Sequence, residues 1–299
     1  MSSIIQKLVK QELIKPPAFL PSNVHYETMM GSIAYGVSDD NSDLDVYGFC
    51  IPPKHIIFPH LVGKIKGFGK QEESFHNYQQ HHILDKSACV GKGQEYDVDI
   101  YNIVTYFQLC MENNPNMIDS LFTPLRCVLH CTTIGNLVKD NRKMFLHKGS
   151  WHKRKGYAFS QLHKAGSSEP VGKRKELVEK YGVDTKFLYQ VVRLVNNAEQ
   201  ILNEGDLDLT RDREQLKAVR RGEWKLDDIR KWFEDKEKAL DKVYLESKLQ
   251  HSPDEKKIKQ LLINCLEHHF GNLSDCVVNV DRATQCLSEV KNVIARYGL

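Results

Sequence analysis

The sequence lacks the long apolar runs of membrane proteins: no stretch approaches the roughly 20 apolar residues that a membrane-spanning helix needs. It also lacks a signal-like opening segment, so we expect a soluble, cytoplasmic protein that does not contact a membrane. Its net charge is only +3 over 299 residues, which permits a nucleic-acid partner without requiring one. It contains no internal repeat, no ribonucleoprotein motif and no Gly-x-x-Gly clamp that would identify an RNA-binding module.

Cysteine pairs at the spacing of a zinc module are absent as well. The chain has eight cysteines, and several of them, such as Cys50, Cys110 and Cys265, lie inside apolar stretches. This distribution is typical of reduced cysteines in a core, and we expect no structural disulfide and no structural zinc.

A Gly-Ser pair followed by two spaced aspartates is the most informative motif present. Gly31 and Ser32 follow a predicted strand, and the backbone N–H groups of such a turn can face nucleotide phosphates because glycine permits a close approach. Asp43 and Asp45 begin a β-rich run whose period of two places both carboxylates on one face. Two like charges about 4 Å apart repel by about 4 kcal/mol at an effective dielectric of about 20, which favours a shared Mg²⁺ or Mn²⁺ ion. The alternative is that residues 38–43 form an ordinary solvated turn.

A second β-rich run, residues 96–101, carries Asp97 and Asp99 on one face. Nucleotidyl transfer with two metal ions needs a further carboxylate to hold the second ion and to help deprotonate the attacking hydroxyl. Either aspartate could do this, and spacing alone does not choose between them. The alternative is an edge strand with a polar outer face.

Residues 184–204 predict a long helix, with Asp184 as its N-cap and Gly205 as its stop. Beside its apolar face runs a second stripe that contains Lys186 and Arg193. We expect these two cations to grip the β- and γ-phosphates from the side opposite the Gly-Ser turn. A polar face is also an ordinary property of any amphipathic helix.

Two further features have both a structural and a substrate-binding interpretation. Tyr35, one turn beyond the Gly-Ser pair, either stacks on a nucleobase or packs in the core. Asn114 either caps a helix or contacts the substrate. Basic clusters, which mark either a solvated helix face or a nucleic-acid surface, occur at Lys148, Lys153, Arg154 and Lys155, at Lys173, Arg174 and Lys175, and at Arg220 and Arg221.

The sequence changes character near residue 130, from short β-rich runs alternating with helices to amphipathic helices alone. We predict an α+β fold: a mixed-sheet catalytic domain over residues 1–148 and a helical domain over residues 149–299 that closes the nucleotide cleft. Residues 62–80 are expected to form a flexible loop. The predicted strands span 24–30, 44–51, 83–90, 96–101 and 126–130.

Several of these motifs occur together in order, and the chain resembles the RNA-ligase-associated (RlaP or YcgL-like) nucleotidyltransferases of the DNA polymerase β superfamily over about residues 24–235. The resemblance rests on Gly31-Ser32-Ile33-Ala34-Tyr35-Gly36, Asp43-Leu44-Asp45, the Asp97 strand, residues 114–122, and Asp184-Thr185-Lys186 with Arg193. It implies a polymerase-β-like core, with Asp43, Asp45 and Asp97 as metal ligands and with Asp99 as the alternative to Asp97 for the third acid. Phe187 stands where the family pattern has histidine, so no imidazole contribution is expected there.

The function expected from these residues is metal-dependent transfer of a nucleotide from a nucleoside triphosphate to an acceptor hydroxyl, with release of pyrophosphate. The family association with RNA ligases makes an RNA end the first acceptor to consider, a transfer RNA end included. The alternatives are an adenylyltransferase that modifies protein and a catalytically silent RNA-binding module.

Overall fold

The computed structural model describes residues 3–38, 43–65, 67–70, 74–89, 92–167 and 173–273, together with 286, 287, 290, 291, 293, 294 and 296. Within these residues one sheet has the strand order β3-β4-β2-β1-β5. Strands β2 and β4 are parallel, and the other neighbours are antiparallel, so the predicted mixed sheet is confirmed. The strands are β1 (Val24–Met29), β2 (Leu44–Cys50), β3 (Asn77–Asp85), β4 (Gln94–Asn102) and β5 (Val128–Cys131).

α-Helices supply most of the rest of the described regular structure. None of them is long and apolar enough to cross a membrane. They are α1 (Ile4–Lys10), α2 (Leu20–Asn23), α3 (Gly31–Ala34), α4 (Lys54–Ile57), α5 (Ile103–Met111), α6 (Pro115–Leu121), α7 (Thr133–Asp140), α8 (Gly149–Ser167), α9 (Lys173–Tyr181), α10 (Thr185–Glu204), α11 (Arg213–Arg220), α12 (Leu226–Glu246) and α13 (Glu255–Phe270).

Strand β3 corrects two predictions. It begins at Asn77, inside the segment expected to be a loop, and it ends at Asp85 rather than reaching Val90, which lies outside the described residues. An edge strand needs only backbone pairing on one side and tolerates polar side chains facing water, so its pattern is not that of a buried strand. After Asp85 the chain turns, because the N–H and hydroxyl of Ser87 both donate to the Asp85 carboxylate.

The two faces of the sheet belong to different hydrophobic clusters. Val46 and Val98 pack with α1 on one face. Phe49, on the same face of β2 as Asp45, packs in the larger cluster on the other side. This larger cluster contains side chains from both sides of residue 148, including α5, α10 and α13. The face that carries the predicted catalytic aspartates is therefore the face on which α5, α10 and α13 pack, whereas α1 packs on the other face.

The ends of the central helix agree with their sequence signals. The Asp184 side chain accepts a hydrogen bond from the N–H of Lys186 (2.9 Å), and Gly205 ends α10 in the left-handed conformation (φ 61°). In the last long helix, α13, Leu261, Cys265 and Leu266 are buried in the larger cluster. The division into domains at residue 148 stays a prediction.

Candidate active site

The turn after β1 brings Gly31 against Asp45. Gly31 has a φ of 61°, a conformation in which a side chain is strained. A Cβ atom on Gly31 would lie 1.9 Å from Oδ2 of Asp45. The Met30 N–H also donates to the backbone carbonyl of Asp45 over 2.8 Å. Only glycine fits here, and its close approach joins the predicted phosphate turn to the predicted acidic strand.

The aspartates of β2 and β4 meet across the parallel pair. Asp45 lies opposite Asp97 in the strand register. Asp43, two residues before Asp45, shares its face by the strand period. Burial, and then the charges of Asp97 and Asp43, raise the pKa of Asp45 to about 6, while Arg193 acts in the opposite direction. The structure thus brings three predicted site aspartates and one predicted site cation together.

Asp97 and Asp99 differ in their exposure and in the hydrogen bonds that their carboxylates accept. Asp99 is almost completely buried and accepts hydrogen bonds from Nδ2 of Asn77 (2.8 Å) and from the hydroxyl of Tyr101. Burial raises the pKa of Asp99, although both hydrogen bonds oppose the shift. Asp97 is 25% exposed. The more accessible carboxylate is therefore that of Asp97.

The donor set fits a divalent cation. Asp43, Asp45 and Asp97 offer carboxylate oxygens, which Mg²⁺ and Mn²⁺ prefer, and the mutual repulsion that raises the pKa of Asp45 is what a cation would relieve. Among the described residues, however, the group whose potential ligand atoms all lie within 4.8 Å of one another is His82, Glu95 and Asp97. Asp97 belongs to both sets.

The two cations predicted on α10 occupy different environments. Arg193 is buried, and its guanidinium carbon lies 4.9 Å from the centre of the Tyr35 ring. In the part of the chain that the structure describes, its Nε has no hydrogen-bond partner, and its charge opposes the pKa shift of Asp45. Lys186, two turns earlier, is exposed to solvent. Arg193 therefore lies close enough to Asp45 to act on its charge, whereas the exposed side chain of Lys186 would have to extend toward the aspartates.

Tyr35 lies in a buried polar network rather than at an open surface. Its ring is fully buried, and its hydroxyl donates to Asp119. The same carboxylate accepts from Nη2 of Arg154 (2.7 Å), and Nδ2 of Asn197 donates to the Tyr35 hydroxyl (3.0 Å). Stacking on a nucleobase would require the Tyr35 ring to leave this position, so its placement agrees with the packing alternative. The network ties the phosphate turn to α6, α8 and α10.

The basic clusters are only partly exposed: Lys153, Lys175 and Arg221 are exposed, whereas other members are buried. Lys148 and Arg154 are buried, because Lys148 donates to the carbonyl of Leu245 and Arg154 pairs with Asp119. Lys155 pairs with Glu237 on α12. The remaining pairings are Arg174 with Asp184, Arg220 with the carbonyl of Val37, and Arg221 with Glu223.

Sequence reasoning missed Asp119 and the two histidines beside Asp97. Of the two interpretations of Asn114, the helix cap is confirmed, since its side chain accepts hydrogen bonds from two N–H groups in the first turn of α6. Asp119 follows it on the same helix, and a carboxylate in such an apolar helix was the available signal. His81 and His82 showed no partner pattern along the chain, because their partner is on another strand.

The family model described as the RNA repair pathway DNA polymerase beta family, RlaP, matches residues 5–264 of the chain. A comparison with curated proteins finds no match.

Proposed function

Because the chain belongs to the RNA repair pathway DNA polymerase beta family, we propose that it transfers a nucleotide from a nucleoside triphosphate to an acceptor hydroxyl on RNA and releases pyrophosphate. The observation that carries the proposal is the pairing of Asp45 with Asp97 beside the Gly31 turn. It combines a site for phosphates with carboxylates that favour a cation.

Asp43, Asp45 and Asp97 are the residues that would hold magnesium or manganese. When bound, such an ion neutralises the carboxylates and polarises the α-phosphate. Asp97 is the third acid in this proposal, because it lies directly opposite Asp45 and is more exposed than the almost completely buried Asp99. Its carboxylate would accept the proton of the attacking hydroxyl and orient the oxygen toward the α-phosphate.

Arg193 would stabilise the negative charge that develops on the leaving pyrophosphate. Its guanidinium is buried against the Tyr35 ring and is close enough to the aspartates to oppose the pKa shift of Asp45. Among the described residues its Nε has no hydrogen-bond partner, and a phosphate oxygen would satisfy it. The backbone of Gly31 and Ser32 would contact the triphosphate from the other side, and Lys186 would reach it from the surface.

The acceptor is proposed to be RNA because of the RNA repair family, with a transfer RNA end as one specific substrate. The basic clusters do not support this choice, since several of their side chains are buried or paired.

The test is incubation of the protein with each α-labelled nucleoside triphosphate, Mg²⁺ or Mn²⁺, and total cellular RNA, followed by separation of labelled RNA from labelled protein. We expect metal-dependent label in RNA that Asp45→Asn and Asp97→Asn each abolish. Asp99→Asn should reduce the label less than Asp97→Asn. Asp227→Asn, which removes an exposed charge on α12, is the control and should leave labelling unchanged.

Three other results would contradict this proposal in different ways. Label on protein would indicate an adenylyltransferase or related protein-modifying enzyme. RNA binding without label, with every triphosphate, would indicate a silent RNA-binding module. Equal loss of activity in Asp97→Asn and Asp99→Asn would contradict the assignment of Asp97 as the third acid.

A further inference from the structure

Strand β3 carries a β-bulge directly opposite Asp97. On β4, Asp97 alone separates the two residues that pair with Gln80 and Ile83. On β3, His81 and His82 together occupy that interval. Two residues against one is the definition of a bulge, and bulges often re-aim a side chain next to an active site.

Both histidines of the bulge contact the Asp97 carboxylate. The backbone N–H of His82 donates to Oδ1 of Asp97 over 2.8 Å. Nδ1 of His81 lies 3.4 Å from Oδ2 of Asp97. The bulge places both residues opposite Asp97, where His81 contacts the carboxylate through its side chain and His82 contacts it through its main-chain N–H.

The backbone of His82 has the conformation that this arrangement requires. Its φ is 56°, in the left-handed region, which is uncommon for residues other than glycine and is strongly disfavoured for β-branched residues. Its imidazole points to a different partner, since Nδ1 lies 2.6 Å from Oε1 of Glu95. The hydrogen bond to Asp97 is thus donated by the backbone of His82, while the ring pairs with Glu95 and keeps a nitrogen within 4.8 Å of a carboxylate oxygen of Asp97.

We propose that the bulge at His81 and His82 positions the carboxylate of Asp97 for nucleotidyl transfer. The N–H of His82 holds Oδ1 and leaves Oδ2 on the side of His81, whose ring is half exposed. His82 is then a positioning residue that acts through its main chain. The inference rests on the proposed function, because that function makes Asp97 the third acid.

A matched pair of substitutions separates the backbone from the ring. His82→Gly and His82→Val both remove the imidazole, but glycine accepts a positive φ and valine does not. Deletion of His82 is the third variant, since it restores one-to-one pairing opposite Asp97. We expect His82→Gly to keep kcat within a few-fold of the parent. His82→Val and the deletion should lower kcat about ten- to a hundredfold with little change in the KM for the triphosphate, because a misplaced catalytic group slows the reaction without weakening substrate binding.

The second readout is Mn²⁺ binding, measured by electron paramagnetic resonance with a non-hydrolysable triphosphate present. His82→Gly should bind Mn²⁺ as the parent protein does, and His82→Val and the deletion should bind it several-fold more weakly. Circular dichroism and thermal unfolding check that each variant is folded. If the deletion variant does not fold, the comparison of His82→Gly with His82→Val decides the test.

The proposal is overturned if His82→Gly loses as much as His82→Val, or if folded forms of His82→Val and the deletion both keep full kcat and Mn²⁺ affinity. If the parent protein binds Mn²⁺ but transfers no nucleotide, the proposed reaction fails while the Mn²⁺ comparison still decides the role of the bulge. If the parent protein binds no Mn²⁺, the assignment of Asp97 fails and the positioning role fails with it.

Discussion

Asp45 and Asp97 lie directly opposite each other on the parallel strands β2 and β4. Because side chains alternate between the faces of a sheet, a shift of one residue in this register would turn one of the two carboxylates to the opposite face. The cluster of acids therefore depends on the pairing of two segments that are about fifty residues apart in the chain.

The Asp45→Asn substitution should stabilise the metal-free protein at neutral pH. Burial and two neighbouring carboxylates raise the pKa of Asp45 to about 6, whereas an unfolded aspartate has a pKa of about 4. The folded state therefore binds more protons between these values, and this group's contribution to stability falls as the pH rises from about 4 to about 6. At pH 7.5 with EDTA, urea unfolding should show the variant more stable by up to about 3 kcal/mol, and the gain should shrink as the pH falls.

The control for this experiment is Asp227→Asn, whose exposed carboxylate should show no such pH-dependent gain. A variant Asp45→Asn that is less stable than the parent at pH 7.5 in EDTA would contradict the repulsion among the three acids.

The Gly31→Ala substitution should disrupt the site far more than the backbone strain of a positive φ alone would. The new Cβ would overlap Oδ2 of Asp45 at 1.9 Å, so Asp45 or the turn has to move. Gly63→Ala is the matched control, because Gly63 also has a positive φ, 73°, but nothing lies within 4 Å of its Cβ position. We expect the backbone strain that both positions share to lower the free energy of unfolding of each variant by about 1–2 kcal/mol. Only Gly31→Ala should also lose nucleotide binding, measured by equilibrium titration of a fluorescent triphosphate, and equal effects in both variants would contradict the contact.

The buried pair of Asp119 and Arg154 should show strong coupling. Both side chains are fully buried and join at 2.7 Å, and removal of one partner leaves the other charge without compensation. Asp119→Ala should lower the free energy of unfolding by about 3–5 kcal/mol. The double variant Asp119→Ala/Arg154→Met should lose much less than the sum of the single losses, as measured by a double-mutant cycle in urea. The exposed pair Lys175 and Glu179 is the control, with an expected coupling below about 0.5 kcal/mol. Additive losses at Asp119 and Arg154 would refute the coupling.

His25 should make the protein lose stability in mild acid. Burial, followed by repulsion from His269, His130 and His268, lowers the pKa of His25 to about 4, whereas an unfolded histidine has a pKa near 6.5. The unfolded state therefore binds more protons between these values, so this contribution is complete above pH 6.5 and is lost as the pH falls toward 4.

Urea unfolding at pH 7.5 and pH 5 tests the His25 prediction. The loss attributed to His25 over that interval is about 2 kcal/mol, and His25→Gln should abolish it. His251→Gln, at an exposed position, should keep the pH dependence of the parent. The same pH dependence in His25→Gln and in the parent would exclude His25 as its source.

Local patterns in the sequence determined most of the elements and which of the predicted site residues share a face. The period of two in residues 44–51 placed Asp43 and Asp45 on one face, and capping signals located the start of α6 and both ends of α10. These features depend on neighbours within one strand or one turn of helix, and the sequence displays such neighbours directly.

Tertiary structure alone decided what those residues face. The pairing of Asp45 with Asp97, the bulge opposite Asp97 and the burial of Arg154 against Asp119 all join segments that are distant in the chain. Strand β3 is held at the edge of the sheet by its backbone pairing with β4, so its side chains can be polar. Arg154 has the local sequence of a surface residue, because its partner Asp119 is 35 residues away in the chain. Register and burial come from long-range pairing, and the composition of one segment does not contain that information.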